Sequence, residues 1–408
     1  MSLRARHLAL LALAALALRA PWLLSPGSAW SLQSLTRLAQ LDGWQLYRCA
    51  ETAGRYGSLP LGWMLMRCMG LLQAAFGGSL AVWVRLPAVL GDVALSLALY
   101  LVVERRSRSG AALAASGDAW RSARAGLLAG FSWALNPLAA LLSVGHGAWD
   151  SLALALMLGA AWWLEYGEDP RAELWAALSL AGAIALSGWP LAALPLYLGA
   201  FPSRQERWRF ALGALLPLLL LALPWCWDDA GAALLTRLQA GPSSDLGLGA
   251  ALRSAFFAAD APIELYRQID DLWRWAGLAA LGLDWLLGLW QCRRLRLMEG
   301  LPWAALLLLV LLPALPLSSL AWPLGLALAL SPRLSWRLAL SGLALLLVHE
   351  ALFDPGVLAG AAAWAPVGVQ PGWLLLWSLL NLAWWLSLMV QWARLAPQVW
   401  LPPRRRAY

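Results

Sequence analysis

The residues in this chain best suited to chemistry are carboxylates, one imidazole and one guanidinium, all carried in stretches that interrupt a very apolar sequence. Asp42 and Glu51 are the first acids after the N-terminal apolar run. A carboxylate of this kind can take the proton of an attacking hydroxyl, provided it lies within hydrogen-bond reach. The sharpest local motif is Asn136-Pro137 followed by Ser143-Val144-Gly145-His146-Gly147-Ala148-Trp149-Asp150-Ser151-Leu152. Asp150 and Ser151 are good helix N-caps, and a carboxylate there is stabilised by the helix dipole, so a plain cap accounts for both. His146 between two glycines is a different signal. Glycines let a backbone come close to something, and an imidazole near a carboxylate suits proton donation or contact with a phosphate. Arg85-Leu86-Pro87, with Asp92 two turns on, forms a second set. The Arg85 guanidinium offers the fork of donors that matches phosphate oxygens. Asp92, inside an apolar run, is expensive to bury and should pair with Arg85 or another buried donor, a structural role.

Other candidates carry less. Asp284 lies within a later apolar run, and His349-Glu350 lacks the second His of a zinc-protease motif, so no metal is assigned and no cofactor is implied. A divalent ion stays open. Cys49, Cys68, Cys226 and Cys292 show no metal-binding spacing. Cys49 and Cys226 fall on the same side of the expected topology, yet four cysteines allow three pairings and unpaired thiols are the simpler reading.

The elements that must position these groups are membrane helices. Apolar runs near residues 8–25, 81–103, 125–143, 151–165, 208–226, 273–292, 338–353 and 372–393 leave arginine clusters in alternate gaps. The clusters are Arg4/Arg6, Arg105/Arg106/Arg108/Arg121/Arg124, Arg204/Arg207/Arg209, Arg293/Arg294/Arg296, Arg333/Arg337 and Arg404/Arg405/Arg406. Positive charge is retained on the cytoplasmic side, which puts these gaps and both termini inside. Arg37, Arg48, Arg55, Arg253 and Arg267 fall outside, so the rule acts as a bias. An uncleaved signal anchor is expected at the N-terminus, because the apolar stretch runs past the passable cleavage site Gly27-Ser28-Ala29 through Trp22-Leu23-Leu24.

Residues 174–202 and 302–330 must each cross twice to keep the clusters on one side, yet each has about 29 residues against roughly 20 per span. Gly188-Trp189-Pro190 interrupts the first, and Pro313 and Pro316 the second. Both read as broken hairpins, tolerated where freed backbone is buried or lines a wet cavity. The expectation is an all-α polytopic membrane protein of about twelve membrane segments, a single transmembrane domain over residues 1–408. A first outer loop, residues 26–80, carries an interfacial helix over 58–76 with Arg67 at its middle, and residues 227–272 form a second, acid-rich outer loop.

Composition agrees. Of 408 residues, 61% are hydrophobic and 13% charged, and the mean hydropathy is +0.65, too little polar surface for a water-soluble globule. The net charge of +8 comes from 30 Arg and no Lys against 22 acids. No basic stripe interleaved with aromatics appears, so the charge belongs to loops facing anionic headgroups and nucleic acid is not a partner.

The order Tyr56…Pro60, Arg85-Leu86-Pro87…Asp92, basic loop, Asn136-Pro137, Gly147-x-x-Asp150-Ser151-Leu152, then Trp189-Pro190 with Pro195, resembles the polytopic GT-C glycosyltransferases, including bacterial mannosyl- and arabinosyl-type enzymes. The likeness covers roughly residues 1–200. It implies a cell-envelope enzyme of a bacterial inner membrane that moves a sugar from a polyprenyl-phosphate donor to a lipid or glycan acceptor at the outer face. It further implies an acid of the first outer loop as general base: Asp42, with Glu51 as substitute. Asp150 and His146 would orient acceptor or donor, Arg85 would hold the donor phosphate, and Trp189 would contact substrate where the family often has Lys. The chain departs from the pattern in having no acid over residues 26–41 and a single Pro60 where two prolines are usual. A catalytically silent relative and a transporter or lipid flippase, with Asp92 and Asp284 lining the path, stay open as alternatives.

Overall fold

The computed structural model describes residues 3–24, 36, 39–40, 60–109, 119–145, 147–225, 248–291, 297–312, 317–330, 332–353 and 371–400. Among these described residues every regular element is helical and there is no strand. The α-helices are α1 (Leu3–Leu24), α2 (Pro60–Phe76), α3 (Leu80–Ser109), α4 (Ala119–Ala134), α5 (Pro137–Ala140, running into a π turn at Leu141–Gly145), α6 (Asp150–Tyr166), α7 (Ala172–Leu186), α8 (Leu194–Gly199) and α9 (Arg204–Ala222). They continue as α10 (Leu248–Ala258), α11 (Ile263–Gln291), α12 (Leu297–Leu311), α13 (Ala321–Leu330), α14 (Pro332–Phe353) and α15 (Pro371–Trp400). Leu3–Leu23, Leu80–Arg108 and Gly372–Arg394 are each long and apolar enough to cross a membrane. Large apolar side chains cover the outer faces, among them Leu13, Leu219, Leu286 and Leu379, each more than half exposed. This is a helical membrane protein, since such faces are stable only against lipid.

The segment expected as one span over 125–143 is instead bent. Trp120–Ala134 and Pro137–Gly145 meet at 48°. Pro137 cannot supply the backbone N–H that would continue α4, and Asn136 starts a new helix by accepting from Leu138 N at 2.9 Å and Ala139 N at 3.3 Å. The first expected hairpin is broken at Gly188-Trp189-Pro190, and in the second α12 ends at Leu311 while Pro313 and Pro316 lie outside the described residues. The first is α7, a 3-10 turn at Trp189–Ala193 and α8; the second is α12, a 3-10 turn at Leu317–Leu320 and α13. At 15 residues α7 and α12 are each about 22 Å long, short of the roughly 30 Å hydrocarbon core.

Side-chain contacts gather the helix ends at two poles. At one, Arg106 donates to Glu299 Oε1 at 3.3 Å and to Ala329 O at 3.1 Å, Arg105 meets Glu168 at 3.4 Å, and Met298 N donates to Glu165 Oε1 at 3.0 Å. At the other, Arg85 Nη1 donates to Trp22 O at 2.9 Å and Leu23 O at 3.3 Å, and Asp150 joins Ser187 and Trp322. Helices α1, α3, α6 and α13 each have one end at each pole.

Helix α3 is the spine of the N-terminal half, packed against α1, α4 and α6. Asp92, Ser96, Tyr100, Glu104 and Arg108 recur along it every four residues, so each lies one turn above the last. The first four are fully or almost fully buried. Helix α1 answers this row with Arg19 on Asp92, His7 Nδ1 3.2 Å from Tyr100 Oη, and Arg4 on Glu104 at 3.4 Å, while Arg108 holds Glu104 at 2.7 Å. Helix α1 is thus bound to its neighbour by two ion pairs and a buried imidazole.

The helix expected over 58–76 is α2. It packs on α3, α7 and α9, and Arg67 Nη1 donates to Ala39 O at 3.3 Å. From the segment expected as the second outer loop α10 is described, and residues 263–272 are not loop but the first part of α11, which starts ten residues before the apolar run; α10 lies on α15, with Ser378 Oγ donating to Ala251 O at 2.7 Å. Cys68 is a free, exposed thiol; Cys49 and Cys226 lie outside the described residues.

Candidate functional site

The strongest arrangement at the pole where α1 ends is built on Asp150. Gly147, with φ of 67°, turns the chain into α6, a conformation that glycine alone adopts without strain. The cap of α6 is Trp149, which makes no side-chain capping bond, and Asp150 sits inside the first turn, so the expected capping role of its side chain is corrected. The Asp150 carboxylate instead reaches across the bundle. Its Oδ1 accepts from Ser187 Oγ at 2.9 Å and from Trp322 Nε1 at 2.6 Å. Ser187 is the extended residue that ends α7 at the first helix break, and Trp322 lies in the first turn of α13, just past the second. Trp189, from the 3-10 turn of the first break, stacks on Trp322 with centroids 4.4 Å apart and planes at 22°. One carboxylate thus ties together the start of α6 and both broken hairpins. Burial of an acid is tolerable only when it is hydrogen-bonded, and bonds to a charged group contribute about 1.5–3 kcal/mol each.

A second centre lies deeper and is closed. Arg19 and Asp92 are both fully buried, with Arg19 Nε 2.8 Å from Asp92 Oδ2. Trp133 Nε1 donates to Asp92 Oδ1 at 3.1 Å, and Ser143 Oγ donates to Oδ2. The remaining Arg19 donors end on the carbonyls of Ala134 and Trp133, at the bend between α4 and α5. Asp92 pairs with another buried donor, as one expectation had it, and that donor is Arg19.

The two centres are neighbours through a helix crossing. A methyl at Gly91 would lie 2.7 Å from Leu152 N, 2.8 Å from its Cβ and 2.9 Å from its Cα, so the backbones of α3 and α6 come into close approach next to Asp92 and Asp150. Gly91→Ala is therefore expected to force the helices apart at a cost of about 1–3 kcal/mol, lowering the thermal unfolding midpoint. Gly159→Ala, where nothing lies within 4 Å, is the matched control and should be neutral or stabilising. Equal midpoints for the two variants would show that this crossing is not close-packed.

Of the sequence candidates, Asp150 and Trp189 come together, joined through Trp322. Arg85 is buried, and its Nη1 is committed to the last carbonyls of α1, so that donor holds a helix end. Asp42, Glu51 and His146 lie outside the described residues. Sequence reasoning missed Arg19, Ser187 and Trp322. Arg19 had a signal, being a charge within an apolar run; Trp322, one of 29 tryptophans, had none. Among the described residues no group of three or more His, Cys, Asp or Glu could hold a metal ion. No protein-family model matches the sequence, and comparison with curated proteins finds no match.

Proposed function

We propose that the protein is a membrane glycosyltransferase of GT-C type with about twelve membrane segments, moving a sugar from a polyprenyl phosphate to a lipid or glycan acceptor at the outer face. The observation that supports this reading is the anchoring of Asp150 by both helix breaks. Backbone broken within a membrane is tolerated where it is buried in protein or lines a wet cavity, and a fixed carboxylate beside such breaks suits recognition of substrate hydroxyls. In this reading Asp42, or Glu51 in its place, deprotonates the acceptor, and His146 and Asp150 orient the reactants. Arg85 contributes to the donor phosphate through donors other than Nη1. The test is transfer of radiolabelled sugar from polyprenyl-phosphate hexoses and pentoses by the protein in lipid nanodiscs; no product with any of them overturns the reading.

The reading also fixes an orientation. In a cysteine-free background, Asp245→Cys should react with an impermeant maleimide in intact cells, and Leu295→Cys should react only after lysis. The reverse pattern would put the Asp150 pole on the cytoplasmic side and remove the outer-face site.

One observation favours a transporter instead. Asp284 of α11 is 1% exposed, and neither of its oxygens has a hydrogen-bond partner among the described residues. Intramembrane acids of this kind mark ion paths in carriers. Asp284→Asn should leave sugar transfer unchanged; abolition of an ion-driven uptake by the same variant would favour the carrier.

A further inference from the structure

We propose that the exposed face of α4 docks one anionic phospholipid, its phosphate held by Arg124 with Arg121 and its acyl chains lying along Leu128 and Leu135. The site stands apart from the glycosyl-transfer reading, since it is built on another helix and at the opposite pole from Asp150.

The outward residues of α4 follow one helical spacing. Arg121, Arg124, Leu128 and Leu135 are all exposed, and at 3.6 residues per turn their intervals place them within a sector of about 60°. Leu135 stays on this stripe although α4 ends at Ala134, because its N–H still donates to Phe131 O at 2.9 Å. The other side of the helix is closed. A methyl at Gly126 would lie 2.7 Å from Tyr100 O and 3.2 Å from Glu104 Cβ, and one at Gly130 would lie 2.8 Å from Leu11 Cδ1. Helix α4 therefore turns its glycines to α3 and α1, and its arginines and leucines away from them.

Charge selects the head of the ligand. Glu104, on the turn of α3 that meets Gly126, is already held by Arg4 at 3.4 Å and Arg108 at 2.7 Å. Arg121 and Arg124 join them at the same end of the three helices, so four guanidiniums stand there against one carboxylate among the described residues. Side chains three residues apart on one helix face have Cβ atoms about 5–6 Å apart, close enough for two guanidinium forks to meet one phosphate.

The leucines select the rest. Leu128 and Leu135 are 55% and 53% exposed, and the rise from Arg124 to Leu135 is about 16 Å, the depth of one leaflet in a hydrocarbon core of roughly 30 Å. Trp120, 57% exposed beside Arg121, is placed where an indole is favoured, at headgroup depth. A free phosphate would use the arginines alone. A phospholipid uses the arginines, the indole and the leucines together, and a net negative headgroup gains more from them than one that carries its own cation.

Native mass spectrometry of the full chain, released from detergent micelles, compares phosphatidylglycerol with phosphatidylcholine of the same acyl chains. Phosphatidylglycerol should bind more tightly, and Arg124→Gln should weaken it about fivefold, the weight of one arginine near an anionic lipid surface, while leaving phosphatidylcholine unchanged. Arg124→Lys keeps the charge and should keep most of the preference. Arg204→Gln, which removes an exposed arginine at the start of α9, should leave the preference intact. In phosphatidylcholine nanodiscs wild type and Arg124→Gln should unfold at the same temperature, and adding phosphatidylglycerol should raise the wild-type midpoint more. No preference for phosphatidylglycerol overturns the site. Equal weakening by Arg124→Gln and Arg204→Gln also overturns it, being a general attraction to the bilayer surface. Displacement by glycerol 3-phosphate at the lipid's own concentration would show a headgroup site without chains and overturn the lipid as occupant. A lower midpoint for Arg124→Gln in phosphatidylcholine alone would make Arg124 a structural residue and overturn its role in the site.

Discussion

Arg19→Leu is expected to destabilise the protein by about 3–5 kcal/mol, because it leaves the Asp92 carboxylate buried with its cation gone. Both side chains are wholly inaccessible, and the pair is 2.8 Å apart. The Trp133 indole and Ser143 hydroxyl would remain as donors to Asp92, but they are neutral and do not offset a charge in a medium of low dielectric. The Arg19 substitution also frees the carbonyls of Trp133 and Ala134, where the bend between α4 and α5 has exposed them. Asp92→Asn should lower stability too, since its amide would set an N–H or a neutral oxygen against the guanidinium. The double variant Arg19→Met with Asp92→Leu should recover most of the loss, as replacing a whole buried pair by apolar residues is often neutral or better. Unfolding midpoints in nanodiscs measure all three. Wild-type stability in Arg19→Leu, or no recovery in the double variant, would mean that the pair does not hold α1 to α3.

Much of the helical framework was legible because it follows from one-dimensional rules. Apolar runs between arginine clusters predict α1, α3, α6, α9, α14 and α15 with ends shifted by up to about seven residues, α11 starts ten residues before its run, and Gly188-Trp189-Pro190 predicts the break after α7. Even α2 follows, since a central Arg67 argues against a simple span. What the sequence did not yield were the partners. Asp92 announced that it needed a donor, and Arg19, another charge within an apolar run 73 residues away, was its complement. Pairing them required only the rule that intramembrane charges of opposite sign seek each other. The four-residue recurrence from Asp92 to Arg108 was also present in the letters, hidden because its members differ in type. Asp150 is the opposite case. Its bonds to Ser187 and Trp322 span 37 and 172 residues and depend on where two helix breaks come to rest, which periodicity does not specify.

These partners change what each acid can do. Asp92 is enclosed by Arg19, Trp133 and Ser143, which makes it a structural anchor between α1, α3 and the α4–α5 bend. Asp150 accepts through Oδ1 from donors at both hairpin breaks, so it ties their positions together. A change at either break is transmitted to the start of α6, and a change at Gly91 is transmitted to both centres through Leu152.

Loss of the general base should have the largest effect on chemistry: Asp42→Asn is expected to slow transfer from a polyprenyl-phosphate sugar by about 10²–10⁴ without altering expression. A base must be charged when the acceptor arrives, and the amide keeps the shape while removing the proton acceptor. Asp150→Asn should behave differently. Its neutral oxygen can still accept from Ser187 and Trp322, so the helix breaks stay in place while the charge that orients hydroxyls is lost. Its effect should therefore include a raised KM, whereas Asp42→Asn acts on kcat. Asp92→Asn should lower the unfolding midpoint and spare kcat in the folded fraction. If Asp42→Asn keeps full activity and Glu51→Gln loses it, the base is Glu51. If both keep it, the base lies outside the first outer loop. If the unaltered protein transfers no lipid-linked sugar, the glycosyl-transfer reading falls, and the absence of any acid over residues 26–41 is then in line with that outcome.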